Sequence, residues 1–282
     1  MSYIVADSND WTPAPQPLGM NFGVCTPNVW NVASATGQSI MTLIAGVLST
    51  DVNITPQGTL SSSLIPTAFE YPVPILAYSE VIYGANNYGT VLGIMSSQLQ
   101  FPMLVSEFVN LNLSVHENTY LQTQDYYVDL LYDIWLKSDN TLRPVNSGDF
   151  EIMVLPLLRN SPYLGAPIAI YITLTTKIYG LQLPVIWGVF LLKNPISNWT
   201  MIIWQPLFEQ WLSLPNPNDI SIPLSELILA SQSLTNINLL NYYIMGIEFG
   251  SEFGLGTTAS YNYNWTLSNY YFEGNFGKVQ LL

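Results

Sequence analysis

Two glutamates stand in short alternating segments about a hundred residues apart. Glu151 lies in Asp149-Phe-Glu-Ile-Met-Val154, and Glu252 lies in Gly250-Ser-Glu-Phe-Gly254. Each carboxyl sits among apolar neighbours, where an ionised group is costly unless it has a task. A pair of carboxyls facing each other across a cleft is the minimum equipment for cutting a glycosidic bond. One attacks the anomeric carbon; the other protonates the leaving oxygen and then activates water. Retention of configuration calls for a separation of about 5–5.5 Å between them. Spacing in sequence does not establish this, since carboxylates on strand faces are more often solvated surface groups.

The elements that must position these acids read as β-strands. In 126–136, Tyr126, Val128, Leu130, Tyr132 and Ile134 alternate with Tyr127, Asp129, Leu131, Asp133 and Trp135. Successive strand residues point to opposite faces, so the first set faces a core and the second carries two acids on the other side. Phe150, Ile152 and Val154 alternate with Asp149, Glu151 and Met153 in the same way. Ile247, Phe249 and Phe253 alternate with Glu248 and Glu252, with Ser251 interrupting the apolar series. Acids on the face opposite the apolar residues in all three segments suit a sandwich with one sheet curved around a groove. The spacing also predicts one helix over Pro223–Gln232, with Pro223 in a first-turn position and Leu224, Leu227 and Ile228 forming a stripe on the outside of a sheet.

Composition narrows the partners. The chain has 282 residues, of which 49% are hydrophobic and only 9% charged; the latter is far below the roughly 25% of an ordinary soluble domain. With six Lys and Arg and a net charge of −13, no basic patch is available for nucleic acid or for an anionic membrane surface. A neutral polymer such as a sugar chain fits better. Mean hydropathy is +0.27, yet the longest apolar runs are each too short for a spanning helix of about 20 residues. The single cysteine, Cys25, excludes an intrachain disulfide within this sequence, and no His or Cys cluster offers a metal site. His116 reads as a strand-edge or loop residue. Residues 1–20 are Pro-rich and read as an extended N-terminal arm, with 21–282 as one domain. The start lacks a secretory leader, so the expected extracellular location requires one upstream.

Several short motifs occur in a fixed order: Asn28-Val-Trp30 with Gly37-Gln38, Tyr78-Ser-Glu-Val-Ile-Tyr-Gly84, Tyr132-Asp-Ile-Trp135, Glu151-Ile-Met153 and Gly250-Ser-Glu-Phe253. Together they resemble glycoside hydrolase family 12, the small jelly-roll endo-β-glucanases, and its archaeal branch in particular. The resemblance implies an all-β, two-sheet jelly-roll sandwich whose curved sheet forms the substrate cleft. It implies a retaining endo-β-1,4-glucanase, secreted and monomeric, acting on cellulose and related β-glucans without metal or cofactor. Carried over by position, it makes Glu151 the nucleophile, Glu252 the general acid/base, and Asp133 the neighbour that holds the nucleophile. Met153 would line the floor, Trp30 would stack on a glucose ring, Asn28 would bond a hydroxyl, and Trp135 and Glu248 would line the cleft. Glu248 lies in a second Gly-x-Glu-Phe and is the alternative acid/base. A non-catalytic jelly-roll sugar-binding protein is the competing reading.

Departures from the family pattern also appear. Leu155 stands where an aromatic platform is usual, Ser79 replaces a proline, and Ser39 stands where many members carry a disulfide cysteine. Trp187, Trp199, Trp204 and Trp211 could be groove platforms or core residues. The sparse charge limits self-repulsion when all carboxyls are protonated. A circular-dichroism titration is therefore expected to show a folded chain well below pH 5, and unfolding near pH 5 would contradict this.

Overall fold

The computed structural model describes residues 2–30, 32, 34–57, 75–123, 128–159, 170–178, 181–193, 199–207, 218–254 and 260–282. Tyr126, Tyr127, Trp211 and residues 255–258 lie outside them. The strands in chain order are β1 (Ser2–Asp7), β2 (Val24–Thr26), β3 (Ala35–Ile44), β4 (Val47–Pro56), β5 (Ala77–Ala85), β6 (Val91–Leu92), β7 (Met103–Leu104), β8 (Ser114–Thr123) and β9 (Val128–Lys137). They continue with β10 (Phe150–Arg159), β11 (Ile170–Ile178), β12 (Leu181–Lys193), β13 (Thr200–Pro206), β14 (Asn218–Ile222), β15 (Tyr243–Phe253), β16 (Tyr261–Gly274) and β17 (Gly277–Gln280).

These strands belong to one connected sheet instead of two separate ones. Lateral pairing runs β1–β3–β4–β16–β8–β14–β11–β12–β13–β10–β9–β15–β5–β2. All of it is antiparallel except β10–β13. The sheet rolls over on itself, and its two layers join through a short seam, Lys177↔Ser221 and Ile178↔Ile220 between β11 and β14. A sandwich of this class thus encloses its core in a nearly closed, curved sheet.

The alternation seen in sequence sorts residues to the two faces. Val128, Leu130, Tyr132, Ile134 and Leu136 of β9, Phe150, Ile152 and Val154 of β10, and Ile247, Phe249 and Phe253 of β15 all enter the main core. Ser251, which breaks the apolar series, is fully buried there, with its hydroxyl 3.0 Å from that of Tyr263. A buried hydroxyl is tolerable when partnered. Trp187 and Trp204 are core residues, which removes them as sugar platforms.

The helix forms over Leu224–Ser231 with Pro223 at its N-cap. Its stripe, Leu224, Leu227 and Ile228, belongs to the core rather than to the outside of a sheet. Trp204 donates its indole N–H to Ser231 Oγ at 2.9 Å, and Ser225 Oγ donates to the Phe108 carbonyl at 3.1 Å. Phe108 lies on a shorter helix, Val105–Asn110, that the sequence reading did not anticipate. Among the described residues no helix is long and apolar enough to cross a membrane.

Two further expectations differ from what is found. His116 lies on β8, between β14 and β16, stacked on Tyr271 and 3.0 Å from Glu273, not at an edge. Cys25 is fully buried, and burial pushes its thiol up to about 12. The N-terminal arm is a strand: β1 pairs with β3 from Ser2↔Leu43 to Asp7↔Gln38, and Ile4, Ala6, Leu18 and Met20 join the core. Extended backbone was foreseen, but alternating apolar residues let it dock on a free sheet edge. Deleting residues 1–7 is expected to lower the melting temperature measurably, by the loss of six strand pairs and two core side chains; an unchanged melting curve would show that the arm is dispensable.

Candidate active site

The acids collect on the sheet face turned away from the core. β9 is the middle strand of the site, flanked by β15 and β10. Glu248 of β15 stands opposite Asp133, which stands opposite Met153 of β10. Glu151 is one step along, opposite Trp135. On the other side of β15, Glu80 of β5 stands opposite Gly250, between the positions of Glu248 and Glu252. Glu252 itself is opposite Asp129 and Tyr78. The register therefore sets Glu248, not Glu252, level with Asp133.

Gly250 makes this crowding possible. A Cβ there would lie 2.1 Å from the Ser79 carbonyl oxygen and 2.7 Å from Glu80 Cα. With no side chain in the way, Tyr78 spans β15 and donates its hydroxyl to the Leu131 carbonyl on β9 at 3.2 Å. Tyr78, Leu131, Met153, Leu155, Phe190, Met201 and Ile203 then form an apolar floor.

Each acid has its own setting. Trp199 donates its indole N–H to Glu151 Oε2 at 2.9 Å and meets Trp135 edge-on, with centroids 5.8 Å apart. Asn28 Nδ2 donates to Glu80 Oε1 at 3.0 Å. The Glu80 and Glu248 carboxyls are within hydrogen-bonding reach of each other, so one proton can serve both. Glu80, Asp133, Glu151 and Glu248 are buried, whereas Glu252 is half-exposed.

Buried acids without cations nearby hold their protons. Burial, with some contribution from the Glu248 charge, pushes Glu151 up to about 8, against the Trp199 N–H that favours its ionised form. Glu248 is pushed up to about 7 by burial, opposed by the Trp135 indole and by Glu80. Burial raises Asp133 well above the usual carboxylate range; the charges of Glu151, Glu252, Glu248 and Glu80 add to this in that order. The Trp199 N–H thus favours the ionised form of Glu151.

The fold has counterparts among solved structures. Endoglucanase Cel12A from Rhodothermus marinus superposes with a TM-score of 0.63, at 14% identity and over the whole of both chains. A family 12 xyloglucanase from Bacillus licheniformis gives 0.60 at 15% identity, over 97% of this chain and all of the other. A metagenome-derived glycoside hydrolase family 12 endoglucanase gives 0.62 at 14% identity, over 96% of each. The fold is that of family 12 glycoside hydrolases. No protein-family model matches the sequence, and no curated protein matches it. At this identity the likeness is one of fold.

Within that fold, the structure gathers Glu151, Asp133, Glu248 and Met153 on one face, with Glu252 further along β15. Other expected contacts differ. Asn28 gives one amide N–H to Glu80. Trp135 is 4% exposed beneath Trp199 and so offers no open platform. Trp30 is half-buried in the non-strand segment between β2 and β3, not on a strand. Trp199, Tyr78 and Glu80 were not singled out as site residues. Tyr78 and Glu80 lay in a quoted motif, and the two-residue step between them was the available signal; Trp199 stood among the tryptophans that could be platforms or core, and only the β10–β13 pairing brings it to Glu151.

The raised carboxyls set a direction for stability. A carboxyl whose folded-state pKa lies above its unfolded value stabilises fully below the unfolded value and loses that contribution as pH rises through the folded one. For Glu151, Glu248 and the core residue Glu117, pushed up to about 8, the window runs from about 4.5 to about 8. The melting temperature is expected to be higher at pH 4.5 than at pH 8.5; calorimetry showing the reverse would mean that these carboxyls ionise freely in the folded chain.

Proposed function

We propose that the protein is a secreted, monomeric, retaining endo-β-1,4-glucanase that hydrolyses soluble or amorphous cellulose and mixed-linkage β-glucans. The observation that carries this reading is the placing of Asp133 between acids. On β9 it stands between Glu248 of β15 and the strand of Glu151, β10, with Glu252 further along β15, in a fold shared with family 12 enzymes.

The chemistry follows from the settings of the side chains. Glu151, with its Oε2 held by Trp199, attacks the anomeric carbon and forms a glycosyl ester as the bond to the leaving oxygen breaks. The leaving oxygen takes its proton from the second acid. Glu252 suits this role because it is the half-exposed member of the group and can reach both substrate and water. Glu248, though nearer to Glu151 by register, is buried and engaged with Glu80. Water, deprotonated by Glu252, then releases the sugar with net retention. Asp133 keeps its own proton and can share it with Glu151 as that carboxylate is consumed and regenerated.

A non-catalytic sugar-binding protein would use the same trough. It would gain nothing from several buried acids that hold protons toward neutrality.

Hydrolysis of a soluble β-glucan tests the assignment. Glu151→Gln is expected to reduce turnover to background. Glu252→Gln is expected to cost about 10²–10⁴-fold, as for loss of a general acid/base, while Glu248→Gln stays within about tenfold of wild type. A Glu248→Gln loss matching that of Glu252→Gln would move the acid to Glu248. Proton NMR of the first product should show the β-anomer; the α-anomer would contradict double displacement.

A further inference from the structure

The face that carries the acids does not end at β10. The row Glu248–Asp133–Met153 continues through Ile203 of β13 to Phe190 of β12. One step along the strands, Gln205 of β13 stands opposite Gly188 of β12, and Gly188 opposite Tyr171 of β11. Ile186, on the same face as Gly188, stands opposite Thr173. The floor residues Phe190 and Ile203 are buried, but at this end the face opens: Tyr171 is 60% exposed and Ile186 51% exposed. Ile172 and Leu174, the alternating neighbours of Tyr171, pack on the core, so Tyr171 projects from the same side as the acids.

Three features make this end a seat for a flat, amphipathic ring. Gly188 puts no side chain between Tyr171 and Gln205. Gln205 is 5% exposed, and its Oε1 has no hydrogen-bond partner. An orphaned buried amide oxygen costs free energy that a donor hydroxyl would recover. Tyr171 and Ile186 are large apolar side chains left open to water, and they adjoin the acid-bearing face rather than stand singly.

We propose that Tyr171, Ile186 and Gln205 form a remote subsite that holds a glucosyl unit of a β-linked glucan several rings from the bond being cut. The proposal rests on the glucanase reading above. The occupant is a neutral sugar polymer: its ring face is apolar enough to stack on Tyr171, its hydroxyls supply a donor for Gln205, and a net charge of −13 disfavours an acidic one. The position also fits a chain already in the trough. Four strand spacings separate β9 from β11, about 19 Å along the sheet, which is the span of an oligosaccharide and not of one ring. The subsite therefore serves polymer over short substrate.

Tyr171→Ala and Tyr171→Phe test this, since an exposed residue can be changed without opening the core. With barley β-glucan, Tyr171→Ala is expected to raise KM about tenfold with kcat unchanged, while Tyr171→Phe stays near wild type. On a cellobiosyl aryl glycoside, too short to reach β11, both variants should match wild type. In a Glu151→Gln background, Tyr171→Ala should lose retardation in native gels containing the glucan. Unchanged polymer KM and retardation, or an equal loss on the short glycoside, would overturn the subsite. Should wild type cleave neither substrate, the glucanase reading fails, and the gel result alone decides whether Tyr171 binds glucan.

Discussion

The site depends on the two antiparallel ladders that flank β9. They fix which side chains share a rung, and with a period of two a slip of one residue would send every acid into the core. The buried residues on the other face prevent such a slip: Tyr132 and Ile134 of β9 pack with Ile152 of β10 and Ile247 of β15 in one core. The carboxyls stay where they are because the apolar residues beside them in sequence have nowhere else to go.

Gathering acids this way is unfavourable by itself, and the chain has few cations to offset it. Arg143 is engaged with Asp139 and Asp149, and Lys177 with Asp219. What compensates instead is shared protons and neutral donors: the Trp199 indole on Glu151, the Asn28 amide on Glu80, and the contact of Glu80 with Glu248. Indole and amide donors stabilise a carboxylate without neutralising it, so they hold a carboxyl in place and leave its charge to be set by solution and substrate. An arginine in the same position would lock it ionised.

Much of this was legible in the sequence, for a physical reason. Alternation is a strong signal where one face is buried, so the faces of β9, β10 and β15 could be read residue by residue. Pro223 and the stripe after it marked the helix. The N-terminal strand was missed because proline-rich flanks mask a short alternating segment, and its partner β3 is distant in sequence. The connected sheet could not be read either, since the seam between β11 and β14 involves two residue pairs without a local signature. At the site, residue types were visible but rungs were not. Nothing in Gly246-Ile-Glu248-Phe or Gly250-Ser-Glu252-Phe says which glutamate lies level with Asp133; that follows from where the ladder begins, after the irregularity between Ile244 and Gly246.

Where a cross-link might have tied the first strands together, Ser39 and Ser79 meet through their hydroxyls at 3.4 Å, and Ser79 also donates to the Pro27 carbonyl at 3.1 Å. The thiol of Cys25 is sealed in the interior with its proton firmly held. Cohesion therefore rests on packing, hydrogen bonds and a few ion pairs, with no disulfide within these 282 residues. Glutathione or dithiothreitol has no covalent tie within the chain to break, and the folded chain is indifferent to the redox poise of its surroundings.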